Sequence, residues 1–143
     1  MKICVYGLWH LGAVTAACLA SVGHDVIGLD DGATNIKNLN LGKAPLFELG
    51  LNEMIQIEIN EGHLDFTQNS TMAVGDADVL CVTFDTPVDE EDQADVEYVL
   101  DKVKSVLTEL KDGTVVLISS QVPVGSIKKL EIYVSDNLNG KQI

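Results

Sequence analysis

The chain has 143 residues, 46% of them hydrophobic, and carries 22 acidic against 9 basic side chains for a formal charge of −13. That length suits one domain, with a core burying roughly 70% of the surface the unfolded chain exposes. The charge excludes a nucleic-acid surface, which needs clustered Lys and Arg, and no run approaches the roughly 20 apolar residues of a membrane span; the acidity aids solubility and names no partner.

Lys2 leads into a short apolar run, Ile3-Cys4-Val5-Tyr6, which Gly7 breaks at once. This is a strand and not a signal peptide, so a cytoplasmic location is the expectation. Residues 11–22 follow with helical spacing and small side chains (Ala13, Ala16, Ala17, Ala20) that let a helix lie close on a sheet. Val26 to Leu29 is the second strand and ends at Asp30. Helices are predicted over 33–40 and 51–61, then a short third strand over 64–66 and a fourth over 78–83. Val96, Val99, Leu100, Val103, Val106, Leu107 and Leu110 recur at three and four, one apolar stripe on a helix that Asp95 caps and Asp112-Gly113 closes. Thr114 to Ile118 is a fifth strand, and a last helix is predicted from Ser126 to Asp136. Residues 1–143 contain no repeat or linker and read as a single domain.

Strands that are unbroken apolar runs are buried on both faces. Alternating with helices, they predict an α/β, Rossmann-type doubly wound parallel sheet in three α/β/α layers, with strand order 3-2-1-4-5. The odd set of cysteines, Cys4, Cys18 and Cys81, lies among apolar neighbours without metal-ligand spacing. They are expected to be reduced and buried and not catalytic. His24 and His63 fall in turns and are assigned no chemistry. Asp89 to Asp92 is read as a solvated loop and not a metal site, because four consecutive carboxylates cannot converge on one ion.

Ligands of such a sheet bind beyond the carboxyl ends of the strands where the order reverses. The loop after the first strand, Gly7-Leu8-Trp9-His10-Leu11-Gly12, lies there, and Asp30 ends the next strand. Gly7 makes the tight turn and Gly12 allows close helix–strand packing. Free N–H groups at the helix start face a pyrophosphate, and Asp30 accepts from an adenosine ribose. No Arg follows Asp30 to take a 2′-phosphate, so NAD is favoured over NADP. Trp9 stands where the middle glycine is normally bare. One reading is that its indole swings aside while its N–H still faces the pyrophosphate; the other is a degenerate loop that binds no nucleotide. His10 either donates to a phosphate or is merely solvated or packed. Thr86-Pro87 lies across the switch point, where the hydroxyl either reaches the cofactor or simply ends a strand.

Four segments carry a more specific signal: GLWHLGAVTAACLASVGHDVIGLD, NLGKAPLFELGL, DADVLCVTFDTPVDEEDQAD and GTVVLISSQVPVGS. In order and spacing the chain resembles the nucleotide-sugar 6-dehydrogenase family, which includes the UDP-glucose and GDP-mannose dehydrogenases. The resemblance implies an N-terminal NAD-binding domain of an enzyme that oxidises the sugar C6 alcohol to a carboxylate in two NAD-dependent steps, through a cysteine thiohemiacetal and a thioester. It places Leu11, Asp30, Thr86 and Gln121 on NAD-contacting positions. The chain departs from the family pattern at Asn35 (usually lysine), Gln121 (usually threonine), Leu49 (proline) and Gln93 (a Gly-containing turn). Asn35 still offers a ribose a hydrogen bond, and Gln121 reaches further than threonine. The family's nucleophile and its partners lie beyond the region matched, so these 143 residues alone are expected to show no turnover, and the full-length family is commonly dimeric through a middle helix. Two alternatives stay open. One is a non-catalytic module that uses the fold for NAD sensing or protein contact. The other is a hydroxyacid-type dehydrogenase, which leaves Thr86-Pro87 and Gln121-Val122-Pro123-Val124-Gly125 unexplained.

Overall fold

Five parallel strands run in the order β3-β2-β1-β4-β5 in a computed structural model that describes residues 1–88, 95–138 and 140–143. The strands are β1 (Lys2–Tyr6), β2 (Asp25–Leu29), β3 (Leu64–Thr67), β4 (Val79–Val82) and β5 (Val115–Ile118). Between them lie α1 (His10–Ser21), α2 (Ala33–Asn40), α3 (Leu51–Glu61), α4 (Ser70–Val74) and α5 (Val96–Leu107), and α6 (Ser126–Asn137) follows β5. This is the doubly wound topology expected from the sequence. Ile3 of β1 sits in register with Val26 on one side and Val79 on the other.

Alternation along β1 divides the interior into two cores. Ile3 and Val5 join a cluster with Leu8, the alanines of α1, and Ile36, Leu39 and Ile55. Cys4 and Tyr6 join Val74, Leu80, Val82 and the stripe of α5. A central strand packed on both faces has no position for a polar side chain, which is why it reads as a continuous apolar run. The stripe of α5 is buried at Val99, Leu100, Val103, Val106 and Leu107, each contributing about 1.5–3 kcal/mol. Asp95 caps this helix by accepting the Tyr98 N–H at 3.0 Å.

Three features depart from the sequence reading. Helix α4 was not anticipated; its five residues are too few to show a period, and Asn69 caps it by accepting from the Met72 N–H at 3.1 Å. β5 ends the strand order and is not buried on both faces: Val115 and Leu117 are exposed. Cys18 is exposed, whereas Cys4 and Cys81 are buried. The buried face of α1 is Gly12, Ala13, Ala16, Ala17 and Ala20, and position 18 points off it. Burial pushes the Cys4 thiol up to about 12, with a smaller contribution from Cys81, so neither core thiol is a nucleophile. Asp89 to Asp92 and Gln93 lie outside the described residues.

Candidate cofactor site

The chain leaves β1 at Gly7, whose N–H donates to the Leu29 carbonyl at 3.0 Å and whose φ is +97°. A Cβ there would lie 2.8 Å from the Phe84 ring and 2.9 Å from the Phe84 nitrogen, so both conformation and space require glycine. A Cβ on Gly12 would lie 1.9 Å from the Gly7 carbonyl oxygen. The buried Thr83 hydroxyl donates to that oxygen at 2.8 Å, fixing the turn from the β4 side.

Leu8 is held from two directions. Its N–H donates to Asp30 Oδ2 at 2.7 Å, and its carbonyl accepts from Asn35 Nδ2 at 3.0 Å. The other Asp30 oxygen accepts the Gly32 N–H at 2.8 Å. Asp30 thus braces the glycine loop against the loop after β2 and retains unused lone pairs on both oxygens.

Trp9 caps α1 with extended backbone and no side-chain cap bond. The first helical bond is from the Ala13 N–H to the Trp9 carbonyl, at 2.9 Å. The N–H groups of Trp9, His10, Leu11 and Gly12 precede it and have no intrahelical acceptor, so they form a positive helix terminus. The Trp9 residue is 50% exposed and lines a cleft of about 330 Å³ together with Gly7, Asp30, Gly32, Phe84 and Tyr98. Leu11 is exposed on the first turn of α1. His10 turns elsewhere, with Nε2 2.7 Å from Glu48 Oε1.

On the far side, Thr86 Oγ1 donates to the Gln121 carbonyl at 2.6 Å, tying the loop after β4 to the loop after β5. The Pro87 carbonyl accepts the Asp95 N–H at 2.7 Å and anchors the start of α5. Ser120 is buried beside Gln121, and its hydroxyl has no partner among the described residues. An orphaned hydroxyl, a bare glycine cradle and a braced carboxylate at one end of the sheet fit a dinucleotide.

Sequence reasoning missed much of the cleft wall. The Phe84 and Tyr98 rings meet edge to face at 5.9 Å, and Lys102 lies 5.5 Å from the Tyr98 centroid and pairs with Asp31. That pairing holds the Lys102 ammonium above its ordinary value. A larger cavity of about 700 Å³ lies between α5, β5 and α6, and no glycine-loop residue lines it.

The NAD-binding-domain model of the UDP-glucose/GDP-mannose dehydrogenase family matches residues 1–142. The chain is 35% identical over 132 residues to a UDP-glucose 6-dehydrogenase of Rhizobium meliloti, covering 92% of this chain and 30% of that protein. It is 32% identical over 145 residues to a GDP-mannose 6-dehydrogenase of Pseudomonas putida, covering 99% of this chain and 33% of that one. A GDP-mannose dehydrogenase from Pseudomonas aeruginosa, solved as a ternary complex, superposes with a TM-score of 0.88 at 31% identity, over 99% of this chain and 33% of its own. The chain therefore spans about a third of the length of these relatives. The match over residues 1–142, on a sheet of order β3-β2-β1-β4-β5, shows that the chain belongs to the UDP-glucose/GDP-mannose dehydrogenase family as an NAD-binding domain.

Proposed function

We propose that the domain holds NAD for the oxidation of a nucleotide sugar at its C6 alcohol, to the carboxylate, with two NAD consumed. The observation that carries this reading is the Asp30 carboxylate, braced by the Leu8 and Gly32 N–H groups at the edge of the glycine loop. Asp30 receives the ribose hydroxyls of the adenosine half and disfavours a 2′-phosphate by charge. The N–H groups of Trp9 to Gly12 bind the pyrophosphate, a role for backbone and not for the His10 ring, whose Nε2 is engaged by Glu48. Gly7 and Gly12 keep the backbone within reach, and Leu11 covers the first turn of the helix. Asn35 orients the loop through Leu8. Thr86, Pro87 and Gln121 position the nicotinamide half, and the chemistry that NAD supplies when bound is acceptance of a hydride.

The catalytic nucleophile and the sugar site belong to residues outside these 143, and the domain alone shows no turnover. The whole protein acts as a cytoplasmic homodimer. A second reading, a non-catalytic module for NAD sensing or protein contact, is favoured by Trp9 in place of a bare glycine.

Trp9 is the single tryptophan, so it reports on its own site. NAD⁺, NADH and NADP⁺ are titrated against its fluorescence, and a Trp9→Gly variant is followed by calorimetry. A saturable change with NADP⁺ much weaker supports the cofactor-domain reading. No change and no heat in either protein overturns it.

A further inference from the structure

Helix α3 ends at Gly62, whose left-handed backbone (φ +79°) reverses the chain and brings His63 back to the last turn. The His63 N–H donates to the Glu58 carbonyl at 2.9 Å. Its ring Nδ1 lies 3.3 Å from a Glu58 carboxylate oxygen and 3.8 Å from one of Glu61. One ligand atom from each of the three side chains lies within 4.8 Å of the other two.

Two observations set this group apart from a solvated acidic turn. Glu58 is only 7% exposed, and among the described residues its carboxylate pairs with no lysine or arginine; its partner is the His63 ring. A buried carboxylate so weakly compensated is costly. Both carboxylates also stand at the carboxyl end of a helix with no basic residue in its last turn. That end carries the negative pole of the helix, where a cation is stabilised and an anion is not.

We propose that Glu58, Glu61 and His63 bind a divalent first-row transition cation of the zinc type. Donors held at about 2.1 Å in a tetrahedron stand about 3.4 Å apart. The His63–Glu58 edge, at 3.3 Å, already has that length. The His63–Glu61 edge is longer at 3.8 Å, and the Glu61 side chain, exposed to solvent, has room to rotate inward. One imidazole and two carboxylates suit zinc, cobalt or nickel better than calcium or magnesium, which take oxygen donors. The remaining coordination position falls to water.

The site lies at the amino end of the sheet, because the His63 carbonyl accepts the Val26 N–H at 2.8 Å near the start of β2. The glycine loop is at the opposite, carboxyl end. The cation therefore pins the last turn of α3 to His63, the residue that leads into β3, and takes no part in hydride transfer.

The test uses the tag-free chain stripped with a chelator. Zn²⁺ is titrated by calorimetry and Co²⁺ by its visible absorption. The expected result is one ion per chain, a higher Tm with Zn²⁺ and a Co²⁺ spectrum typical of nitrogen and oxygen donors. His63→Ala, checked for folding by circular dichroism, loses affinity by roughly tenfold or more. Glu61→Gln, a change at an exposed side chain that leaves the fold untouched, also weakens binding. Equal Zn²⁺ affinity in the wild type and both variants, or no heat and no Co²⁺ spectrum at millimolar metal, overturns the proposal.

Discussion

Gly12 of α1 lies against the Gly7 carbonyl oxygen so closely that a Cβ would stand 1.9 Å from it and 2.7 Å from Thr83 Oγ1. The helix meets the end of β1 through bare backbone, and the nearest atom belongs to the main chain and cannot rotate aside. Gly12→Ala is expected to destabilise the domain by about 3 kcal/mol or more, because relief requires α1 to move off the strand. Urea unfolding measures this. The same movement displaces the N–H groups at the start of α1, so NAD binding is expected to vanish in calorimetry even where the variant remains folded. Wild-type stability with wild-type affinity would show that the gap between helix and strand yields.

Asp30 is bonded to two backbone N–H groups, one in each flanking loop. Asp30→Asn keeps the shape, removes the charge and turns an NH₂ group toward one of those donors. Hydrogen bonds to a charged group contribute about 1.5–3 kcal/mol. NAD affinity is expected to fall roughly tenfold or more, while NADP⁺, no longer repelled, falls less. The ratio of the two dissociation constants is the readout. A loss of equal size for both cofactors would place Asp30 in loop bracing alone.

Thr86→Val tests the tie between the loops after β4 and β5. The change is close to isosteric and removes only the 2.6 Å bond to the Gln121 carbonyl. Stability is expected to fall by about 1 kcal/mol and NAD affinity several-fold, with Thr86→Ser close to wild type in both. Thr86→Val with unaltered affinity would make the bond a strand-ending turn and nothing more.

What was legible in the sequence follows from which positions have a single physical solution. β1 and β4 are packed on both faces, so their apolar runs announced a parallel sheet. Gly7 and Gly12 were readable because a positive φ and a vanishing gap each demand glycine, and Asp30 stood out as the carboxylate that ends the second strand, where it accepts the Leu8 and Gly32 N–H groups. β5 misled because a valine-rich edge strand reads like a buried one. Cys18 misled because its neighbours in sequence are apolar, although helical geometry turns it away from the alanine face. The pairing of His10 with Glu48, of Lys102 with Asp31, and the meeting of Phe84 with Tyr98 join residues far apart in the chain. No local period encodes such contacts, and the wall of the cleft became visible only in the folded chain.

Asp78 gives the acid limb of stability a local origin. Its carboxylate accepts from Lys111 Nζ at 2.7 Å and from the Lys2 backbone N–H at 2.9 Å, and these bonds, Lys111 first, hold it below the ordinary carboxylate value. A depressed carboxyl stabilises the fold above its unfolded value of about 3.9, and that contribution is lost as pH falls through the folded value. Asp78→Asn is expected to be less stable than wild type at neutral pH and to show a shallower decline in acid. The two stability curves should meet once Asp78 is protonated in both states. Urea midpoints taken from neutral pH down to about pH 2 measure the convergence. Parallel curves would assign the acid limb to other carboxylates.

The three cysteines separate by burial into one reactive and two silent thiols. Cys18 is exposed, while Cys4 and Cys81 lie in the two cores on either face of the sheet. Desolvation holds the Cys4 thiol near 12, far above the range in which the attacking thiolate forms. With an aromatic disulfide reagent at mildly alkaline pH, one thiol is expected to react rapidly in the native chain and all three after unfolding in urea. Mass spectrometry should place the rapid label on Cys18. Cys18→Ser is expected to remove the fast phase while leaving NAD affinity unchanged, because the side chain lies on the outer face of α1. The slow labelling of Cys4 and Cys81 then reports global opening, and bound NAD should slow it further by stabilising the folded state. Rapid labelling of either core cysteine in the native chain would mean that the sheet opens locally around β1 or β4.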